Sequence, residues 1–196
     1  MFTGIIRSVS KVKDIRQEKG SLFVSIVRPK GWDIQEGASI SINGVCSTVR
    51  FLTSNFFEVE YMPETIKKTT VGNYQTDTSV NLEPSLALKD LLDGHIVQSH
   101  VDTRGKIIGI NQVKEAVVMK IQLPENFLKY IAVKGSVAVD GISLTVVDAG
   151  VDWFTVSLVS YTLEHTNLGQ AKLNQEVNVE TDILAKYLEK LLISQK

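Results

Sequence analysis

Residues 43–49 read Asn43-Gly44-Val45-Cys46-Ser47-Thr48-Val49, and 97 residues on the chain reads Asp140-Gly141-Ile142-Ser143-Leu144-Thr145-Val146. Each stretch opens with a dipeptide that tolerates positive φ, the usual way to turn one antiparallel strand into the next. Just before, Ala38-Ser39-Ile40-Ser41-Ile42 alternates with period two, as a half-buried strand does, and Gly135 to Val139 repeats the pattern with Val137 and Val139 inward. At the same offset Phe57 falls on Phe154, Val59 on Val156, Thr65 on Thr162 and Thr69 on Thr166. Val80-Asn81-Leu82-Glu83 falls on Val177-Asn178-Val179-Glu180. From Ser39 to Glu83 no gap is needed and 12 of 45 pairs are identical. Average residue usage would give about one in fifteen to twenty, so the chain is an internal duplication. The same offset lays Thr3-Gly4-Ile5 over His100-Val101-Asp102.

Short strands with turn punctuation imply a small barrel or sandwich, and closure removes exposed edges in so small a unit. The expectation is an all-β chain of two tandem barrels, residues 1–93 and 94–183, followed by a helical segment over 184–196. Helices are expected over Pro84 to Leu92, over Pro124 to Val133, where Pro and Glu open the first turn, and over Thr181 to Leu192. The last carries Leu184, Tyr187, Leu188, Leu191 and Leu192 on one face, a stripe suited to a partner chain, with docking on its own barrel as the alternative.

The composition sets further bounds. Lys plus Arg number 21 against 22 Asp plus Glu, so no basic surplus calls for nucleic acid or an acidic membrane. No window is apolar enough to span a bilayer, and the first residues do not read as a secretory signal. One cysteine, Cys46, cannot make an intrachain disulfide and suits a reducing cytoplasm. The histidines and the cysteine lack metal-ligand spacing, so no metal is expected.

The segments Met-Phe-Thr-Gly-Ile at 1–5, Asn-Gly-Val-Cys-x-Thr-Val at 43–49, Gly-His-x-Val-x-x-His-Val-Asp at 94–102 and Lys-Gly-Ser-Val-Ala-Val-Asp-Gly-Ile-Ser-Leu-Thr-Val at 134–146 resemble the riboflavin synthase family of alpha-subunit type. So do Thr-Leu-x-x-Thr-Asn-Leu-Gly at 162–169 and Val-Asn-Val-Glu-x-Asp-x-x-x-Lys-Tyr at 177–187. The match runs end to end. It implies two Greek-key barrels, a C-terminal helix that holds a homotrimer, and a cofactor-free dismutation. In that reaction two 6,7-dimethyl-8-ribityllumazine molecules exchange a four-carbon unit, giving riboflavin and 5-amino-6-(D-ribitylamino)uracil. Its sites would lie where the N-terminal barrel of one subunit faces the C-terminal barrel of a neighbour, with lumazine synthase as a candidate partner.

The resemblance also places functional residues. Cys46, His100, Asp140, Ser143 and Asp182 are the catalytic candidates. Cys46, Ser47, Thr48, Met62 and Thr65 are expected around substrate in one repeat, and Lys134, Ser143, Leu144, Thr145, Val159 and Thr162 in the other. Gly4, Ile5 and Ile6, with Ser99, His100 and Val101, begin the first strand of each unit and should flank the ring edges. Taken alone, paired Thr and Ser could simply end strands, Cys46 could be a small core residue, and a lone histidine is more often structural. Asp140 faces Asn43 across the repeat and Asp182 faces Ser85, so both acids are asymmetric. His95 is expected to structure the connection and His165 to be a surface variant. Departures from the family pattern are Ser47 in place of Leu, Ser99 in place of Gly, and Tyr161 in place of an acid or His. Ser47 should alternate away from the pocket, whereas Ser99 should add a side chain beside the ligand. A non-catalytic lumazine or flavin carrier is the competing reading, and retention of Cys46, His100, Asp140, Ser143 and Asp182 weighs against it.

Overall fold

The computed structural model describes residues 1–193. Each repeat closes into a six-stranded antiparallel barrel, with β1 Ser8–Glu18, β2 Ser21–Val27, β3 Ser39–Ile42, β4 Val45–Leu52, β5 Phe56–Tyr61 and β6 Ser79–Pro84 in the first. The second holds β7 Thr103–Val113, β8 Ala116–Gln122, β9 Ser136–Val139, β10 Ile142–Ala149, β11 Trp153–Leu158 and β12 Glu176–Thr181. Around the first barrel the order is β1-β2-β5-β4-β3-β6, and the second repeats it. Inward positions alternate as the sequence pattern demands: Val45, Ser47 and Val49 on β4 are buried while Cys46, Thr48 and Arg50 face out. Phe57 and Phe154 sit fully buried at matching points of the two cores. Matching register shifts at Val49/Phe51 and Val146/Asp148 give the strands the extra bend that closing a small barrel requires.

The repeat is not in one register throughout. β1 and β7 start 95 residues apart, as do β2 and β8, whereas β3 and β9 start 97 apart. Two extra residues therefore lie between β8 and β9. Gly4 is the partner of Ser99 and not of Val101, and both have positive φ, +77° and +58°.

The helices also differ from expectation. Thr181 belongs to β12, and the last helix, α4, is Ile183–Ile193; residues 194–196 of the expected segment lie outside the described residues. No helix forms over Pro84 to Leu92. The Ser85 and Leu86 N–H groups are drawn to the carbonyls of Ser39 and Met1, and only a single turn, closed by Asp90 onto Ala87, follows. From Pro124 only Glu125–Leu128 is helical, because the chain turns to bury Ile131. Two further short helices, Pro63–Lys68 and Ser160–His165, cross after β5 and β11 at equivalent places. In chain order these four are α1 (63–68), α2 (125–128), α3 (160–165) and α4. Among the described residues no helix is long and apolar enough to cross a membrane.

The barrels meet at the two decisive turns. Asn43 and Asp140 each have φ +46°, and a Cβ on Gly44 would lie 2.6 Å from the Gly141 amide nitrogen. Only glycine permits that approach. Four amide side chains stitch the contact: Asn81 Nδ2 donates to the Asp140 carbonyl at 3.0 Å, and Asn178 Nδ2 to the Asn43 carbonyl at 2.8 Å. Asn167 Nδ2 donates to Asn43 Oδ1 and Asp140 Oδ2.

One core pair breaks the symmetry. The hydroxyls of Ser47 and Tyr61 are hydrogen-bonded at 2.9 Å inside the first barrel, where the second has Leu144 and Leu158. Ser47 is thus the packing change expected, made to seat a tyrosine hydroxyl. Ser47→Ala should cost about 1–3 kcal/mol in urea unfolding by stranding that hydroxyl. The double change Ser47→Leu with Tyr61→Leu should recover most of the loss; no recovery would show that the two positions are not coupled.

Candidate functional site

The outward residues of β4 and β10 give each barrel one candidate face, and each face is finished by the leading segment of the other repeat. The Cys46 N–H donates to the Ser99 carbonyl at 2.8 Å, and the Ser143 N–H to the Gly4 carbonyl at 2.8 Å. Ile6 packs on the second barrel's core and Val101 on the first. Phe2 and Val97 pair where the two segments cross. Sequence comparison could place these segments at the start of their own units but could not show that they trade sides.

Each crossing segment is clamped by a glutamate of its own barrel. Glu83 accepts from the Thr3 and Gly4 N–H groups at 2.7 and 3.0 Å, and Glu180 from those of Gln98 and His100 at 2.7 and 3.1 Å. Burial raises both carboxyls, Glu180 to about 7, against the pull of these donors. No motif singled out either acid, although both lie in the repeated Val-Asn-x-Glu.

On the first barrel a cavity of about 300 Å3 is lined by Cys46, Thr65, Thr69, His100 and Val101, with Glu64 and Lys68 of α1 along its wall. Thr48 is exposed beside Cys46, and Met62 is exposed at the start of α1. Burial raises the Cys46 thiol, so this sulfur stands as a neutral thiol at neutral pH and not as a thiolate. Ser99 does not project toward the ligand face. It is buried, and its Oγ donates to Ser41 Oγ at 2.7 Å, which offsets part of the roughly 1 kcal/mol cost of left-handed backbone. A larger hollow, about 510 Å3, lies beside Arg7, Trp32, Ser39 and Asp90 and holds none of the expected residues.

On the second barrel Ser143 Oγ lies 2.7 Å from His95 Nδ1. A Cβ on Gly4 would sit 2.6 Å from the Ser143 Cβ, so a glycine is required where the leading segment passes. Burial lowers the His95 imidazole, while the nearby Asp182 carboxylate pulls it up. The result is a neutral imidazole touching a hydroxyl, with an acid near enough to act on it, an arrangement able to move a proton to or from Ser143 or a bound water. His95 is the histidine of this cluster, contrary to its expected role in the connection. Its sequence signal was only its place in the Gly-His motif. Thr145 is exposed next to Ser143, Val159 is exposed, and Thr162 lies half-buried on α3.

Other expected residues fall elsewhere. Asp140 is 2% exposed, and its two oxygens take the Asn178 N–H at 2.7 Å and Asn167 Nδ2 at 2.9 Å. Burial raises it to about 6. Both oxygens are engaged in joining the barrels. Ser47 and Leu144 point into their barrels, so only their backbone reaches a ligand face. Lys134 occupies a left-handed turn whose N–H bonds the Val146 carbonyl, past Thr145 on β10, and no hydrogen bond among the described residues ties its amine to Ser143. Among the described residues no three His, Cys, Asp or Glu side chains gather as metal ligands would.

Residues 3–85 and 98–182 match the lumazine binding domain. The chain is 39% identical over 196 residues to riboflavin synthase of Actinobacillus pleuropneumoniae, covering all of this chain and 91% of that one. It is 40% identical to riboflavin synthase of Mycobacterium tuberculosis (strain ATCC 25618 / H37Rv), covering 99% of each, and 34% to that of Bacillus subtilis (strain 168), covering 98% and 90%. Crystal structures of LumP complexed with riboflavin and with 6,7-dimethyl-8-(1'-D-ribityl) lumazine superpose with TM-scores of 0.86 and 0.84. Each is 21% identical and covers 92% of this chain and 99% of that one, a likeness of fold.

The His95 assignment has a direct check. Followed by NMR, the His95 imidazole should titrate below the ordinary histidine value. Asp182→Asn should move the midpoint lower still, because the carboxylate's upward pull is gone. An unmoved midpoint would separate Asp182 from the cluster.

Proposed function

Since the chain belongs to the riboflavin synthase family, we propose that it carries out the cofactor-free dismutation of two 6,7-dimethyl-8-ribityllumazine molecules to riboflavin and 5-amino-6-(D-ribitylamino)uracil. The observation that carries this reading is the 2.7 Å contact between Ser143 Oγ and His95 Nδ1, with the Asp182 carboxylate near enough to raise the imidazole. A passive binder has no need of a half-buried neutral base on a hydroxyl. Two related faces, one on each barrel, suit a reaction between two copies of one molecule, because binding both replaces a bimolecular encounter. The faces are not chemically equal. One offers a thiol and the exposed imidazole of His100, suited to taking a proton from an activated methyl group. The other offers Ser143 with His95, suited to activating an added water or hydroxyl.

The two faces lie on different barrels, and the homotrimer expected of the family would bring the first face of one copy to the second face of the next. The packing of α4 supports this. Lys186 reaches Asp102 at 2.7 Å, and Glu189 bonds Lys129 and Tyr130, so the polar side of the helix is held by its own barrel. Leu184, Tyr187, Leu188, Leu191 and Leu192 are left 56–66% exposed. A cytoplasmic location and contact with lumazine synthase belong to the same reading and rest on the single cysteine and on the family respectively.

Purified protein incubated with the lumazine alone should develop the riboflavin absorption band, with one riboflavin formed per two lumazines consumed. Ser143→Ala and His95→Gln should each lower the rate about a hundredfold or more with little change in melting temperature. Tight lumazine binding without turnover would identify a carrier instead. Removing residues 184–196 should reduce the mass in light scattering to that of one chain and remove most activity; an unchanged mass would exclude the helix as the trimer contact.

A further inference from the structure

The helices α1 and α3 are the same element in two copies, but the side chains they carry at matching positions differ in kind. On α1, Glu64 and Lys68 line the first cavity and are joined as an i,i+4 ion pair at 2.9 Å. At the matching positions of α3 stand Tyr161 and His165. Their rings are stacked, with centroids 4.0 Å apart and planes inclined by 16°. His165 Nδ1 donates to the Tyr161 carbonyl at 2.8 Å, which fixes the imidazole against the phenol. One face of the tyrosine ring is thereby covered, yet Tyr161 remains 67% exposed, so its other face is open. Thr162, the next residue, matches Thr65, which lines the first cavity.

We propose that Tyr161, braced by His165, is a specificity-determining residue of the second-barrel site: it supplies a stacking wall that favours the larger tricyclic ring of riboflavin over the bicyclic lumazine. The inference rests on the function proposed above. Stacking grows with the overlap of flat rings, and an aromatic wall already held in place loses little freedom when a ligand lies on it. A solvated ion pair gives no such surface. At the first barrel the same position therefore reads the polar edge of the ring and not its area. The side on which the four-carbon acceptor grows by one ring is thus distinguishable from the side that does not reward that growth.

The test compares riboflavin and 6,7-dimethyl-8-ribityllumazine binding by calorimetry, together with quenching of riboflavin fluorescence, which ring stacking on a phenol produces. Replacing Tyr161→Glu and His165→Lys together copies the first-barrel wall. That variant should lose about three- to tenfold in riboflavin affinity at one class of site, keep its lumazine affinity within about twofold, and lose much of the quenching. Tyr161→Phe should keep all three. The reciprocal pair, Glu64→Tyr with Lys68→His, should raise riboflavin affinity at the other class and add quenching. Unchanged riboflavin-to-lumazine ratios in both double variants would overturn the proposal. A wild-type chain that binds neither molecule would instead remove the functional reading beneath it.

Discussion

Two hairpin turns pressed backbone to backbone hold the rest of the molecule in place. Gly44 and Gly141 approach so closely that a methyl group on either would strike the other's amide nitrogen. The four amides Asn81, Asn178, Asn167 and Asn43, with Asp140, then satisfy nearly every polar group the contact buries. A network of this kind specifies one arrangement more than it adds net stability, because its bonds replace bonds to water, whereas a missing member leaves a buried group unpaired. Its effect reaches the candidate site directly. The segments 1–7 and 95–102 can cross between barrels and finish each other's ligand faces only if the barrels keep one relative orientation.

How much of this the sequence discloses depends on what each residue's partner is. Barrel strands are readable because their signal is local: period-two alternation and Asn-Gly or Asp-Gly turns appear within a few residues. The duplication is readable because both copies answer the same packing problem. The single offset of 97 fails at the start because the two additional residues before β9 fall in a connection, where length is little constrained. Asp140 is hard to place from sequence for a related reason. A charge opposite a neutral residue in the other repeat looks like chemistry, but here it lets the carboxylate take the Asn178 N–H and the Asn167 amide together at an off-centre point of a nearly symmetric knot. His95 is not legible as a site residue because Ser143, its partner, lies 48 residues away and no local pattern joins them. Ser99 shows the reverse. A side chain added beside a ligand position reads as an obstruction until Ser41, which the other barrel replaces with Ala138, turns it inward.

The duplication has also diverged in a consistent direction. Inside, the first barrel accommodates the Ser47–Tyr61 hydroxyl pair where the second keeps leucines. Outside, the first face carries a thiol, an exposed histidine and an ion pair, whereas the second carries a hydroxyl and a half-buried histidine, with stacked rings on α3 at the ion pair's repeat position. The glutamate clamps, by contrast, are kept in both copies. What positions the leading segments is conserved within the chain; what touches the face is not. That is the pattern expected where two sites share a scaffold and bind one kind of molecule but must treat it differently.

Such division of labour constrains how the sites can communicate. Each face is built from residues of both repeats, so displacement of one leading segment disturbs the opposite barrel's site as well as its own clamp. The Thr3 and Gly4 amides are held by Glu83, while the Gly4 carbonyl receives the Ser143 N–H and the Thr3 carbonyl the His95 N–H at 3.1 Å. A shift of about 1 Å in this short run would therefore misplace both Ser143 and His95, and misplacement of that size is enough to lose much of the advantage of orientation. The peptide run is fixed by a carboxylate that sits on β6 of the first barrel, yet the chemistry it aligns is on β10 of the second. Integrity of the first barrel is thereby a condition for the geometry at Ser143, whatever ligand the first barrel's own face holds.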